Sequence, residues 1–384
     1  MTDLLNRPAA GAASDIEILP VAGRAELERF IRLPFALHRD DPHWIPPLLM
    51  ERRDALSSSK NPYFRHAEAA FWIARRGGRD VGRVSAQLDR LAAPGTGHFG
   101  LLAAVDDPAV VGALMDTAER WLRARGATRV LGPFNLSINE ETGLLVDGFD
   151  TPPMLMMGHD RPYLGRLLER AGYAKAKDVL AYLSEGPELP AGVRAMVARP
   201  LPPNVRIRPL RMADYRREVG ALTAIFNDAW SGNWGFVPLT ADEIDHMARQ
   251  MKPLIDERLV WFAEVDGEPA AFAVCLPNLN EAIRDLDGRL LPFGWAKLLW
   301  RLKVSGVRSA RVPLMGVRRK HADSLLGGLL AFLIIAAVRR EAAALGLHRI
   351  EMSWILEDNV PMRRIAEAVG GRPYKTYRLY GKAL

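Results

Sequence analysis

The fold is decided by residues 311–359, which read RVPLMGVRRKHADSLLGGLLAFLIIAAVRREAAALGLHRIEMSWILEDN. Apolar residues predict a strand at Arg311–Val317, and a basic turn then leads into a long helix at Ser324–Leu345. Gly346 ends that helix, because glycine directly after the last periodic residue is a typical helix stop. A second strand at Arg349–Leu356 and a short helix at Val360–Val369 follow. The stretch therefore predicts an α/β protein.

The same order of elements occurs twice along the chain, once on each side of a segment rich in proline and glycine. One half has a hairpin that turns at Gly77-Gly78, and the other has a hairpin that turns at Asp266-Gly267. We predict an N-terminal domain at 1–185, a linker at 186–204, and a C-terminal domain at 205–384 with an insertion at 277–310. Each domain should be a mixed, mainly antiparallel twisted sheet with helices on both faces, because hairpin strands are antiparallel neighbours.

The composition is that of an ordinary globular protein. Hydrophobic residues make up 49% and charged residues 25% of the 384 residues, which argues against a disordered or coiled-coil chain. The single cysteine, Cys275, excludes an intramolecular disulfide and a thiolate zinc cluster. Residues 1–7 lack a basic stretch followed by an apolar one, and the longest apolar run, Leu325–Val338, is too short for a membrane-spanning helix. We therefore expect a cytoplasmic protein. If it contacts lipid, we expect it to do so as a peripheral protein at the inner face of the membrane.

The C-terminal half resembles the GCN5-related N-acetyltransferases, the GNAT superfamily, in both element order and residues. Leu314–Val317 resembles the strand whose backbone holds the pantetheine of acyl-CoA, and Gly327-Gly328 stand at the start of the helix that receives its pyrophosphate. The resemblance implies that acyl-CoA is a co-substrate. The binding residues that it implies are Met315, Gly316, Val317, Arg318, Arg319, Ser324, Gly327, Gly328 and Asn359. The alternative for this loop is a solvated basic turn with Asp323 or Ser324 as the helix N-cap.

Three further segments resemble a group of bacterial two-domain GNAT-like proteins. They are Gly132–Glu141, Asn233–Thr240 and Ser353–Asn359. That group is similar to the bacterial ceramide synthases, which acylate the amine of a sphingoid base with acyl-CoA. The resemblance therefore implies an N-acyltransferase of the GNAT type, with a primary amine such as a sphingoid base as acceptor.

Two departures from the GNAT pattern concern cofactor binding and catalysis. In the pyrophosphate loop only Gly327 fits the usual sequence, and the tyrosine that often acts as general acid would fall at Ala366. In the N-terminal half the equivalent turn carries Asp106 and Asp107 and has no glycine. We therefore expect that the N-terminal half does not bind acyl-CoA in the usual way.

Three carboxylates are candidates for the base that deprotonates the amine. Glu351 lies inside an apolar strand, where a carboxylate has a partner or a raised pKa, and the alternative is an outward-facing strand residue. Strand alternation would place Glu351, Ser353 and Ile355 on one face of the sheet. Glu140 lies in a polar segment after a strand end, where the alternative is a turn that saturates its own backbone. Glu357 could equally cap the next helix.

Six residues are candidates for binding the acceptor. They belong to the polar segment that contains Glu140, to an aromatic loop in the second half, and to the aromatic C-terminal tail. The loop could line a lipid channel or, alternatively, act as a lid packed on the core. The six are Asn135, Asn139, Asn233, Trp234, Phe236 and Tyr377.

The segment 294–311 is basic and amphipathic. Tryptophans and leucines alternate there with five basic residues and no acidic one, namely Lys297, Arg301, Lys303, Arg308 and Arg311. Such a segment is typical of a helix on anionic lipid, and the alternative is a surface helix that buries its apolar face on the domain. The net charge of +7 also suits nucleic acid, but no recognised motif predicts specific binding. The scattered histidines predict no metal site.

These observations favour an enzyme that transfers a long-chain acyl group from acyl-CoA to a primary amine. One alternative is a GNAT-like protein that binds acyl-CoA or lipid without catalysis, which the incomplete glycine loop and the missing tyrosine favour. A second alternative is an acetyltransferase that acts on a small polar amine.

Overall fold

The computed structural model describes residues 15–384, apart from the side chain of Lys303. The expectation drawn from residues 1–7, and the first 14 residues of the predicted N-terminal domain, lie outside the described residues.

Thirteen strands, counted over residues 15–384, form one sheet. They are β1 (Ile16–Pro20), β2 (Ala67–Arg76), β3 (Arg79–Asp89), β4 (Thr96–Ala104), β5 (Arg129–Gly132), β6 (Leu144–Asp147), β7 (Ala174–Glu185), β8 (Val205–Pro209), β9 (Val260–Val265), β10 (Glu268–Pro277), β11 (Ser309–Val317), β12 (Arg349–Leu356) and β13 (Arg372–Ala383).

Helices cover both faces of this sheet. In the same described range they are α1 (Arg24–Leu37), α2 (Leu49–Ala55), α3 (Pro108–Arg123), α4 (Leu164–Arg170), α5 (Ala191–Val197), α6 (Tyr215–Trp230), α7 (Ala241–Met251), α8 (Leu279–Ile283), α9 (Gly294–Trp300), α10 (Arg319–Ala322), α11 (Leu325–Ala344) and α12 (Val360–Ala368). None of the helices between residues 15 and 384 is both long and apolar enough to cross a membrane.

The strand order is β1-β2-β3-β4-β5-β13-β7-β12-β11-β10-β9-β8, and β6 pairs with β13 beside this path. Two neighbouring pairs are parallel, β4 with β5 and β11 with β12, and the other pairs are antiparallel. The mixed, mainly antiparallel fold predicted from the sequence is thereby confirmed.

The two halves exchange their last strands. β13, from the C-terminal half, pairs with β5 and β6 of the N-terminal half, whereas β7 pairs with β12. β7 and β13 also pair with each other, so the sheet runs through both halves without a break. The sequence-based division into two domains stays a prediction. The segment predicted as a linker contains α5, which buries Val193 against α11 and α12.

Separate apolar clusters fill the two faces of the sheet. On the N-terminal half, α3 and α4 cover one face through side chains such as Leu114 and Leu168, and α1 covers the other through Phe30 and Ile31. On the C-terminal half, α11 contributes Leu330 and Ile334, while α6 packs on the opposite face. Between them, the central strands β7, β12 and β13 carry polar side chains that lie deep in the protein.

Candidate functional site

A pocket opens where β11 and β12 diverge. The two strands pair over Ser309–Val312 and Arg349–Met352, and beyond those residues they separate. The space between them, including the part open to solvent, is about 930 Å³. Its walls are largely apolar and come from β11, β12, α11 and α12, with Trp230 and Asn233 at the end of α6. Lining residues include Val312, Met315, Ile335, Val338, Ile350, Met352, Ser353, Trp354, Asn359 and Met362.

Of the residues predicted to bind acyl-CoA, two line this pocket. Met315 lies on β11, and its carbonyl oxygen accepts a long hydrogen bond of 3.4 Å from Trp230. Asn359 lines the pocket and also caps α12, because its side-chain oxygen accepts a 3.1 Å hydrogen bond from the Met362 amide. Gly316 and Val317 follow on the same strand but are not among the lining residues.

The basic turn is partly helical. Residues 319–322 form the short helix α10, within the stretch that we expected to be a loop. The Arg318 side chain is directed to the Pro269 carbonyl at 2.8 Å, and the backbone amide of Arg319 donates to Asp228. These contacts anchor the turn to β10 and α6.

The start of α11 follows the alternative that we considered from the sequence. Ser324 is its N-cap, since its hydroxyl oxygen accepts a 3.1 Å hydrogen bond from the Gly327 amide. A Cβ atom at Gly327 would overlap the His321 carbonyl, so the close approach of α10 requires glycine there. Gly328 has open space around it. A phosphate site at this helix end stays a prediction.

Glu351 lies at the centre of a buried polar network. Its side chain is 0% exposed, so the outward-facing alternative is wrong. One carboxylate oxygen accepts a hydrogen bond from Ser353 and the other accepts one from Tyr374. Arg311 lies 3.5 Å from the same carboxylate and donates to the Ser353 hydroxyl at 2.8 Å. The carboxylate in the apolar strand therefore has partners, which was one of the two expectations for it.

Strand alternation fails after Ser353. The pairing of β12 with β7 shifts register between Met352 and Ile355. As a result, Ile355 packs with Met352 on the α12 side, whereas Leu356 lies with Tyr377 on the face that carries Glu351. An extra residue in a strand reverses the parity of every later side chain, so the predicted face of Ile355 is wrong.

Glu140 lies in a different place from Glu351. It is not among the residues that line the pocket, and its charged neighbours are Arg52, Glu51 and Glu141. Burial raises the pKa of Glu140 to about 8, Arg52 opposes this increase, and the two other glutamates add to it. Glu141, and not Glu140, forms an ion pair with Arg52. The structure thus does not bring Glu140 and Glu351 into one catalytic group.

Glu357 is held by structural contacts at the edge of β7. Its carboxylate pairs with Lys175 at 2.6 Å and accepts the Asp178 amide at 3.0 Å. The cap of α12 is Asn359, so Glu357 does not cap that helix.

The predicted acceptor-binding residues do not share one wall. Asn233 lines the pocket, whereas Trp234 packs in the cluster of Tyr377 and Phe236 packs in another cluster beside Phe226. Tyr377 is fully buried, and its hydroxyl has no hydrogen-bond partner among residues 15–384. Asn139 donates to the Val237 carbonyl at 3.1 Å, which ties the two halves together.

In the N-terminal half, β4 and β5 separate as β11 and β12 do, and Asn135 lies in the opening between them. The residues that follow β5 fill this opening, with the Phe134 amide donating to the Phe99 carbonyl. In the turn after β4, Asp107 caps α3 and pairs with Arg76, and Asp106 pairs with Arg166. Chain atoms therefore occupy the N-terminal counterpart of the pocket.

The segment 294–311 presents its apolar side chains to solvent. Trp300 is 61% exposed, and Phe293, directly before the segment, is 78% exposed, so the alternative of an apolar face buried on the domain is wrong. Trp295, Leu299 and Val304 are exposed as well. Arg311 does not belong to this surface, because it is buried beside Glu351.

Sequence reasoning missed the partners of Glu351. Arg311 and Tyr374 were grouped with a basic segment and an aromatic tail, and the strand register that joins Arg311 to Glu351 depends on chain pairing. Lys375 was also missed. Its ammonium donates to the Gly148 and Thr151 carbonyls, and burial lowers its pKa to about 8. A lysine at an apolar position of β13 was the available signal.

Comparison with known proteins places the chain in a family. It is 56% identical over 377 residues to the bacterial ceramide synthase of Caulobacter vibrioides, which covers 97% of this chain and 98% of that protein. The chain belongs to the family of bacterial ceramide synthase. Protein YghO of Escherichia coli K12 is 47% identical over 366 residues, covering 94% of this chain and 93% of that protein. No family model matches the chain.

Solved structures agree on the fold of this family member. A tandem GNAT protein from the clavulanic acid biosynthesis pathway matches with a TM-score of 0.53 at 16% identity, over 96% of this chain and 98% of that one. A GCN5-related N-acetyltransferase from Sphaerobacter thermophilus also gives 0.53, at 14% identity and 96% coverage of both chains. At such identities the likeness shows a tandem GNAT fold alone.

Proposed function

We propose that this protein transfers an acyl group from acyl-CoA to a primary amine, and that the amine is a long-chain sphingoid base. The observation that carries the proposal is the pocket between the diverging strands β11 and β12, at the position where GNAT folds hold the pantetheine of acyl-CoA. The likeness to a protein named bacterial ceramide synthase supports the choice of acceptor.

The pocket suits a thioester with an aliphatic chain. Beyond Val312 the β12-facing edge of β11 has no strand beside it, so the backbone there could receive pantetheine and the developing oxyanion, with the long hydrogen bond from Trp230 to the Met315 carbonyl giving way. Apolar side chains of α11 and α12, such as Ile335 and Met362, would surround an acyl chain. The α11 N-terminus and the basic turn before it would receive the pyrophosphate.

The chemistry is direct attack of the amine on the thioester carbonyl. The amine must first lose a proton, and Glu351 is the carboxylate that Ser353, a lining residue, connects to the pocket by a hydrogen bond. Burial of Glu351 and Arg311 keeps water from competing for these groups.

We also propose that residues 291–304 contact an anionic membrane surface. Exposed Phe293, Trp295 and Trp300 are the side chains that enter the boundary between headgroups and acyl chains. Exposed Arg289 and Arg308 flank them and add attraction to anionic headgroups. Met50 of α2 is exposed nearby, since the Leu49 amide donates to the Gly288 carbonyl. A sphingoid base would reach the enzyme from such a surface.

The activity is tested by following thiol release from acetyl-CoA or palmitoyl-CoA with sphinganine, spermidine or no amine. We expect release that requires both palmitoyl-CoA and sphinganine, with the amide confirmed by mass spectrometry. Binding of palmitoyl-CoA without release in any mixture would instead indicate a protein that binds acyl-CoA without catalysis. Release with acetyl-CoA and spermidine alone would indicate an acetyltransferase of small polar amines.

Membrane contact is tested by flotation with vesicles of phosphatidylglycerol and phosphatidylethanolamine. Trp300→Glu combined with Phe293→Glu should reduce the bound fraction at least about tenfold, because charged residues are costly in the interface. Leu201→Glu is the matched control, since Leu201 is also exposed but lies between α5 and β8. Equal binding of both variants would contradict the contact.

A further inference from the structure

The buried position of Glu351 raises the question of how a proton from a substrate could reach it. Its side chain is 0% exposed, and it is not among the residues that line the pocket. A substrate amine in the pocket therefore cannot touch the carboxylate in this arrangement. A group that contacts both the pocket and Glu351 is required.

Ser353 is such a group. It lines the pocket, and its hydroxyl donates a hydrogen bond to Glu351. The same hydroxyl oxygen accepts a hydrogen bond of 2.8 Å from Nε of Arg311. A serine hydroxyl has one donor and two acceptor lone pairs. With the donor and one lone pair in use, one lone pair remains for a group in the pocket, counting contacts within residues 15–384.

The neighbours of Ser353 fix its direction. Arg311 also donates to the Ser353 carbonyl at 3.2 Å and to the Leu155 carbonyl at 2.9 Å, so the guanidinium is held on several sides. Tyr374 donates to the second oxygen of Glu351, which leaves the first oxygen to Ser353. In this geometry the serine proton points at the carboxylate. Of Arg311, Glu351, Ser353 and Tyr374, Ser353 is the one that lines the pocket.

We propose that Ser353 relays the proton of the substrate ammonium to Glu351, a role that rests on the proposed acyltransfer. The ammonium N–H bond breaks and its proton goes to Oγ of Ser353, while the serine proton goes to Glu351. The neutral amine then attacks the thioester carbon, so that a C–N bond forms and the C–S bond breaks. The second amine proton leaves with the thiolate as free CoA thiol. Glu351 returns its proton to solvent through Ser353 after the products leave.

In this scheme Ser353 touches the substrate, and Arg311 and Tyr374 are positioning residues. Arg311 keeps the serine oxygen in place, and Tyr374 keeps the carboxylate in place. If Ser353 had only a structural role, its hydrogen bonds would hold the network together but would not affect the reaction rate. The kinetics of the Ser353→Ala variant distinguish the two roles.

The experiment compares Ser353→Ala, Ser353→Thr and Glu351→Gln in the thiol-release assay with palmitoyl-CoA and sphinganine. We expect Ser353→Ala to lower kcat about 10²- to 10⁴-fold while KM for palmitoyl-CoA changes less than about threefold. Ser353→Thr keeps the hydroxyl and should recover most of kcat. The double variant Ser353→Ala with Glu351→Gln should be no slower than the slower single variant, because both act on one proton path.

The pH profile gives a readout that folding defects do not produce. Without the relay, only amine that is already neutral can react, so log kcat of Ser353→Ala should rise about one unit per pH unit below the pKa of a primary amine, near 10. Wild type should have a flatter profile. Parallel profiles, or a kcat of Ser353→Ala within threefold of wild type, would overturn the relay.

Two controls separate the relay from other failures. Ser85→Ala removes another buried serine, on β3, whose hydroxyl has no partner among residues 15–384, and it should leave kcat unchanged. Calorimetry should show unchanged palmitoyl-CoA affinity for Ser353→Ala. If wild type acylates sphinganine and Ser353→Ala is equally fast, the relay alone fails. If wild type acylates none of the amines, the proposed function fails and the relay fails with it.

Discussion

The side-chain oxygen of Asn135 accepts a hydrogen bond of 2.8 Å from the backbone amide of Leu101. Leu101 lies on β4 at the point where that strand has parted from β5. In the C-terminal half the corresponding opening, between β11 and β12, is the pocket. The N-terminal half therefore fills with its own chain the opening that stays a pocket in the C-terminal half.

We accordingly expect one acyl-CoA per chain. Calorimetric titration with palmitoyl-CoA in the absence of amine should give a stoichiometry near one, because Asn135 and its neighbours fill the second opening. Met352→Trp, which places an indole in the C-terminal pocket, should abolish this binding. A stoichiometry of two, or binding that survives Met352→Trp, would show that the N-terminal half also holds the ligand.

The same filled opening makes Gly100 intolerant of a side chain. A Cβ atom there would overlap the Phe134 carbonyl oxygen, so Gly100→Ala should lower the free energy of unfolding by at least about 2 kcal/mol. Gly112, inside α3, has nothing near its missing Cβ, and Gly112→Ala should raise it by about 0.5–1 kcal/mol. Urea unfolding of both variants checks the pair. Similar stabilities would mean that the segment after β5 moves aside easily.

The exchanged strands make each half depend on the other. A fragment that ends at residue 199 lacks β13, and a fragment that starts at residue 200 lacks β7, so each exposes unpaired strand edges. We expect that neither fragment alone unfolds cooperatively, and that the two recover cooperative unfolding when they are expressed together. Circular dichroism during thermal unfolding makes the comparison. A fragment that folds alone as a stable monomer would contradict the prediction.

The elements and the pairings of this fold differ in how far they could be predicted. Local signals identify α3, because an aspartate followed by proline is typical of a helix start and Asp107-Pro108 begin this helix, and local signals also predicted the hairpin at Gly77-Gly78. The exchange of β7 and β13 could not be predicted, because pairing between strands about 200 residues apart depends on tertiary packing rather than on local pattern.

Only part of the candidate site could be predicted, again because pairing between strands cannot be seen in the local sequence. Glu351 was found because a carboxylate in an apolar strand is visible in sequence, and Met315 was found through the resemblance to the GNAT strand that holds pantetheine. Arg311 was assigned to the surface, since nothing local distinguishes it from the basic residues before it. Only the parallel register of β11 with β12 brings it to Glu351.

The last prediction concerns Glu140 and pH. The ordinary pKa of a glutamate, 4.5, applies to the unfolded chain, whereas burial raises the pKa to about 8 in the folded protein. Between these values the folded protein keeps a proton that the unfolded chain has lost, so Glu140 makes stability decrease as pH rises through this window. Glu140→Gln binds no such proton. The free energy of unfolding of Glu140→Gln relative to wild type should increase from pH 4.5 to 8 and stay constant above pH 8. The total increase should be about 1–3 kcal/mol, which is less than the whole pKa shift would give, because Glu140 is partly exposed.

Urea unfolding of wild type and Glu140→Gln at pH 5, 6.5, 8 and 9 measures this difference directly. Glu17→Gln is the matched control, since Glu17 is an exposed carboxylate on β1, and it should follow wild type at every pH. A constant difference between Glu140→Gln and wild type would show that Glu140 is ionised throughout. The carboxylate would then need a cation beyond Arg52, because Glu51 and Glu141 both disfavour its charge.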